Sequence, residues 1–325
     1  MSGGNVRGKY QKEMSGGNVR RKCPGEMSEG NVRRKCQDTN VVQCFNVDVV
    51  DLEADPKLLL TITGKTEEKS NEGIYALAVL ANEIFIIARM SSEVEVYNRT
   101  DLQFQRNVSV DNLQEPRDIA SCYRNNCLYI IDGNPIDQPM EILKVDKDGN
   151  ILKKIWQGND WGRLSVTSES NLILTVLDKR QLLEITPDGQ LVLEIALDVS
   201  HPWHAVKLTS DRFMVAYNRY SVGGICMVDN KGKVLMSSSE EALCISDSLL
   251  INLAVNRDGS LLAVDENAGR IILLTPTLEF RRKFIPEKNG LKRPRRLFVD
   301  EPNGRLLVCD NSQHVGRILV FDIAG

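Results

Sequence analysis

The sequence predicts an all-β protein, a six-bladed β-propeller of four-stranded antiparallel blades, from three observations. Pro116, Pro202 and Pro294 each open an apolar run, and they stand 86 and 92 residues apart, which divides into two blade-sized periods each time. A unit of roughly 42 residues holding four strands is the period of a propeller blade. A continuous apolar segment recurs once per unit: Ile84–Ile87, Leu128–Ile131, Ile173–Val176, Phe213–Ala216, Leu261–Val264 and Leu306–Cys309. Such runs suit strands buried on both faces. The chain ends are also complementary. The last unit stops at its third strand, Ile318–Asp322, while an orphan strand, Leu58–Thr63, precedes the first unit. Pairing the two closes the ring and removes an exposed edge.

In chain order, Met1-Ser-Gly-Gly-Asn-Val-Arg recurs from Met14 and, with Glu29 in place of a glycine, from Met27. These repeats are too poor in apolar residues to offset chain entropy, so residues 1–39 are expected to be a disordered basic tail. Cys23 and Cys36 hold equivalent repeat positions without the partners a zinc site needs. Residues 40–56 are an unplaced linker, and 57–325 form the propeller. Its blades lie near 73–110, 115–158, 162–199, 201–240, 249–287 and 292–325, the last completed by 58–63. Lys147-Asp-Gly149, Pro187-Asp-Gly189 and Asn230-Lys-Gly232 supply tight turns between third and fourth strands.

Composition narrows the class further. With 42% hydrophobic and 26% charged residues the 325-residue chain reads as an ordinary globular protein, and no apolar run is long enough to span a membrane. Eight scattered cysteines and the lack of an apolar N-terminal leader fit the cytoplasm. Residues 1–39 carry a net charge of +5 and the remainder −8. An acidic body argues against a protein whose main task is gripping DNA or RNA phosphates.

Two segments carry a family resemblance. Unit five reads Asp265-Glu-Asn-Ala-Gly-Arg270-Ile-Ile, and unit six reads Asp310-Asn-Ser-Gln-His-Val-Gly-Arg317-Ile-Leu-Val-Phe-Asp322. With the proline-headed starts, these resemble NHL repeats such as those closing TRIM-NHL proteins. The resemblance covers residues 57–325. It is good in the last two units, fair in units two to four and poor in unit one, where Arg89 stands in place of Asp. It implies a scaffold that binds protein or RNA through one face. Ligase activity does not carry over, because no RING or B-box pattern is present. Related rings include calcium-dependent lactonases and a zinc-dependent lyase, so the fold alone does not decide function.

Candidate site residues follow from aligning the units. One residue per blade should ring a channel mouth: Tyr75, Asp118, Leu164, His204, Asn252 and Arg296. This set lacks the converging carboxylates of a calcium site, and His201 and His204 are spaced to point apart on a strand. No enzyme activity, cofactor or metal is therefore expected. A second ring, Asp132, Asp178, Asn218, Asp265 and Asp310, reads as turn-fixing acceptors at strand ends. Cys122 and Cys127 flank a hairpin as free thiols. The strongest signal is a basic cluster: Arg281, Arg282, Lys283, Lys288, Lys292, Arg293, Arg295 and Arg296, with Glu287 the only acid between 281 and 296. Arg281 to Lys283 read as a solvated edge strand. Lys292, Arg293, Arg295 and Arg296 should share one face with Arg117, Trp203 and His204 and contact a partner there. A protein is the leading partner, and single-stranded RNA is the alternative.

Overall fold

The computed structural model describes residues 52, 54–63, 73–219, 222–238, 248–256, 258–285, 290–312 and 315–324. The tail repeats of 1–39 with Cys23 and Cys36, most of 40–56, and Glu287, Lys288 and His314 lie outside the described residues. The strands form six four-stranded antiparallel sheets, five running outward in chain order and the sixth taking its outermost strand from the N-terminal side. First strands of neighbouring sheets meet around a common axis, which makes the six sheets blades of one ring. These strands are Ile74–Leu80, Pro116–Cys122, Gly162–Val166, Pro202–Thr209, Leu250–Val255 and Pro294–Asp300.

The apolar runs occupy the second strands, and their alternation explains why all their residues but Thr175 are apolar. Ile84 and Ile86 face blade 6, packing with Leu307 and Val320. Phe85 and Ile87 face blade 2, packing with Leu128 and Ile130. Tyr129 and Ile131 turn the other way, toward Leu172 and Leu174 of blade 3. Side chains on a strand alternate between faces, and in a radial stack both faces are interior. Each pair of adjacent blades thus shares one apolar cluster. Full burial of each aliphatic side chain contributes about 1.5–3 kcal/mol.

Closure follows the expected route. Lys57–Thr63 pairs antiparallel with Val315–Asp322, with Ile62 opposite Ile318 and Thr61 opposite Leu319. Three strands from one end of the chain and one from the other complete blade 6. The lead-in is anchored on blade 5: Arg282 donates to the carbonyl of Leu52 at 2.8 Å, to that of Ala54, and to Asp55 at 2.7 Å. Leu52 itself is buried with Phe284, Ile285 and Leu291. Arg282 is therefore not the solvated edge residue expected from the sequence. It binds carbonyls that no ladder reaches. The outer turns need glycine: Gly232 has φ of +80°, and a Cβ there would lie 1.9 Å from the Ala196 carbonyl oxygen.

Candidate functional site

Five of the six first strands carry a β-bulge at the same position near one end of the channel. The pairing slips between Ile74 and Ala76, Pro116 and Asp118, Pro202 and His204, Leu250 and Asn252, and Pro294 and Arg296. A bulge leaves a residue without a ladder partner and re-aims its side chain. The bulged residues are Tyr75, Arg117, Trp203, Ile251 and Arg295; blade 3 has no bulge, and Arg163 follows Gly162 directly, pairing with Thr175 as Asp118 pairs with Ile131. The axial layer is Ala76, Asp118, Arg163, His204, Asn252 and Arg296; Leu164, expected there, lies one position further along, in register with Ile119. Tyr75 was expected in that layer, but the bulge hands its place to Ala76, opposite Ile87.

The axial layer joins blade to blade. An innermost strand has a ladder partner on one edge only, so amides on its other edge need separate acceptors. Asp118 Oδ2 accepts from the Leu164 amide at 2.8 Å, His204 Nδ1 from Leu253 at 3.3 Å, and Asn252 Oδ1 from Leu297 at 3.1 Å. Arg296 spans the axis, donating to Asp118 Oδ2 and to the Leu164 carbonyl, both at 3.1 Å. Because His204 Nδ1 accepts, its proton is assigned to Nε2, which lies 3.2 Å from the Leu164 carbonyl. Burial, reinforced by Arg296, holds the His204 pKa well below its usual value. His204 is 2% exposed, so the expectation that it contacts a partner is corrected: it is a neutral interior residue. Arg296 likewise serves mainly inside, and its side chain is 12% exposed. On the far side of the layer, a cavity of about 570 Å³ opens to the opposite mouth between Ser121, Thr167, Val206 and Phe298.

The bulged layer has a different character. Arg117 lies between two rings, 4.5 Å from the Trp161 centroid and 5.7 Å from that of Tyr75, while Arg295 covers Tyr75 at 5.0 Å. Carboxylates are shared rather than matched. Glu115 pairs with both Arg89 and Arg117, Glu266 with both Arg293 and Arg295, and Asp118 with Arg296. Arg163 donates to the Arg117 carbonyl at 2.9 Å and forms no ion pair with a described residue. Burial, with Arg295 and Arg296 adding to it against the pull of Asp118, pushes the Arg163 pKa below the usual arginine range. Of the expected partner residues, Lys292 is exposed, and the Arg293 side chain is 56% exposed. Trp203 is half-buried against the cluster containing Ile251 and Leu297, which makes it a packing residue.

The second ring divides. Asp132, Asp265 and Asp310 stand opposite the first residues of their inner strands, Pro116, Leu250 and Pro294. Asp132 accepts from the Gln114 and Glu115 amides, and Asp310 from those of Lys292 and Arg293. Asp265 and Asp310 also bind Arg270 and Arg317, tying each hairpin to its blade head. Asn218 lies one position beyond and clasps both backbone groups of Leu250, whereas Asp178 is exposed. Cys122 and Cys127 face each other across the blade 2 hairpin as buried free thiols. Among the described residues, no cluster of three His, Cys, Asp or Glu is placed to hold a metal.

This geometry defines the class of the molecule as a six-bladed β-propeller, and solved structures agree. The PQQ-bound aldose sugar dehydrogenase of Streptomyces coelicolor is similar at 12% identity, over 82% of this chain and 98% of that one, with a TM-score of 0.63. An oxidoreductase of the glucose dehydrogenase type from Thermus thermophilus is similar at 12% identity, over 82% and 99%, with a TM-score of 0.59. The WD40 propeller domain of Doa1 is similar at 17% identity, over 82% and 96%, with a TM-score of 0.56. Identities this low establish the fold alone. No protein-family model matches the chain, and no curated protein matches it.

Proposed function

We propose that this propeller is a non-enzymatic scaffold that docks an acidic segment of a protein partner on the face where the first strands begin. The observation that carries the reading is the imbalance there among the described residues: Arg117, Arg293, Arg295 and Arg296 engage three carboxylates, Glu115, Asp118 and Glu266, and Arg163 beside them forms no ion pair. Surplus guanidinium forks favour carboxylates geometrically as well as by charge. RNA is the weaker occupant because the aromatic faces that could stack on bases are occupied. Arginines cover Tyr75 and Trp161, and Trp203 packs into the core. The non-enzymatic part of the reading is supported by His204, whose two ring nitrogens both meet backbone groups. An NHL-type relationship is supported by the equivalent Asp265–Arg270 and Asp310–Arg317 pairs in the last two blades.

The test compares a fluorescent Asp/Glu-rich peptide with a single-stranded RNA of equal charge by anisotropy. The peptide should bind more tightly, and Lys292→Glu with Arg293→Glu should weaken it at least tenfold. Tighter binding of RNA, weakened by the same substitutions, would transfer the face to the RNA reading.

A further inference from the structure

The axial layer contains a cation, Arg163, that forms no ion pair with a described residue, and its surroundings show what is missing. Arg163 carries five guanidinium N–H groups, and one protein acceptor is assigned to them, the Arg117 carbonyl. It is partly exposed at the mouth, and none of its nitrogens is a buried orphan, so the remaining donors reach solvent there. Its charged neighbours include Arg295 and Arg296, whose own carboxylates are engaged: Glu266 at 3.1 Å and Asp118 at 3.1 Å. Two further donors in the adjoining bulged layer, Nε of Arg117 and Nε of Arg295, are buried without a partner.

A like-charged cluster of this kind costs stability unless something relieves it. An apolar residue at position 163 would have avoided the repulsion, as Ala76 does at the matching place in blade 1. The geometry points to an oxyanion site on the channel axis, in which Arg163, with Arg295 and Arg296 beside it, takes a single carboxylate or phosphate group. One compact anion there would meet the open donors of Arg163 and reduce the repulsion among the guanidiniums. This deepens the docking reading and rests on it where the anion is an acidic side chain of the partner. A free small anion would use the same site without that reading.

The experiment measures thermal stability and calorimetric binding of the full chain with two probes, inorganic phosphate and an Asp/Glu-rich peptide. Wild type should gain melting temperature with at least one probe, in a saturable manner. Arg163→Met should melt higher than wild type when no anion is added, and should lose at least tenfold in affinity. Arg163→Lys, which keeps the charge but not the fork, should keep part of the affinity and guards against a folding artefact. Phosphate binding that depends on Arg163, without peptide binding, would sustain the site and remove the docking proposal. Peptide binding untouched by Arg163→Met would sustain docking and remove the site. An Arg163→Met protein that melts lower than wild type and binds either probe equally well would overturn the inference.

Discussion

Two layers of side chains, adjacent in sequence, do opposite jobs at one end of the channel. In the axial layer, Asp118, His204, Asn252 and Arg296 meet one another or the amides of neighbouring blades. In the bulged layer one residue earlier, Arg117 and Arg295 each share their carboxylate with another arginine, and each leaves a buried nitrogen unbonded. The difference arises in the backbone. A regular strand would place neighbouring residues on opposite faces of a blade, whereas the bulge lifts one of them out of the ladder and frees it to serve the mouth. Satisfaction of polar groups is what stabilises a ring; unsatisfied donors at the mouth are what the proposed docking would use.

Both layers depend on ring closure, so opening the ring should have the largest effect. Deleting residues 1–63 removes the strand paired with Val315–Asp322 and exposes that edge, including Ile318 and Val320. We expect aggregation on size-exclusion chromatography and no cooperative melting; a monomeric deletion variant with a sharp transition would show that the fourth strand of blade 6 is dispensable.

Within a closed ring, the axial layer should dominate stability. Asp118→Ala strands the Arg296 guanidinium and the Leu164 amide together, a loss of about 3–5 kcal/mol. Adding Arg296→Met to it should recover part of that loss, because the stranded charge is then gone. Chemical denaturation of the two variants checks the sign of the coupling.

This division of labour was only partly legible in the sequence. The second strands were readable because both faces of a radial blade are interior, which turns alternation into unbroken apolar runs such as Ile84–Ile87. The orphan strand Leu58–Thr63 was readable because it completed a count. The bulges were not, and a fixed count between strands missed hairpin length: two residues separate Leu80 from Glu83 but four separate Cys122 from Cys127, so Tyr75 was placed where Ala76 sits. Arg163 stood outside any charged run, and its significance comes from arginines contributed by blade 6. It was missed because blade 3 lacks the bulge, so Leu164 was read at the axial position that Arg163 holds. The burial of His204 escaped for a related reason: a strand head looks like a surface until Arg296 is seen to cross over it.

A third prediction uses pH to separate the layers. His204 has a folded pKa well below its unfolded value of about 6.5, so below that pH the unfolded chain binds the proton that the native protein excludes. The stability is fully present above about 6.5 and falls as the medium is acidified, by as much as about 1.4 kcal/mol per pH unit from this group. His204→Gln should flatten that limb of the stability profile. An unchanged acid limb would assign the loss to other groups. Asn252→Ala is expected to act on a similar scale but independently of pH, leaving the Leu297 amide without its acceptor at about 1–3 kcal/mol.

The smallest effect on stability should come from Arg293→Ala, and it is the sharpest test of the contrast. Arg293 binds Glu266 at 2.8 Å, so by contact alone it resembles the axial pairs. Its side chain is 56% exposed, however, and Glu266 retains Arg295 at 3.1 Å when Arg293 is removed. A half-exposed ion pair contributes about 0–1 kcal/mol, and here the buried partner keeps a counterion, so the change should fall within about 0.5 kcal/mol. Binding should respond differently. Loss of an exposed guanidinium at the rim weakens attraction for an acidic peptide and lowers its salt dependence, because one cation fewer is screened. Denaturation and peptide titration at two salt concentrations measure both effects on the same variant. If Arg293→Ala destabilises as much as Asn252→Ala, the rim is part of the scaffold and the two layers are not functionally distinct.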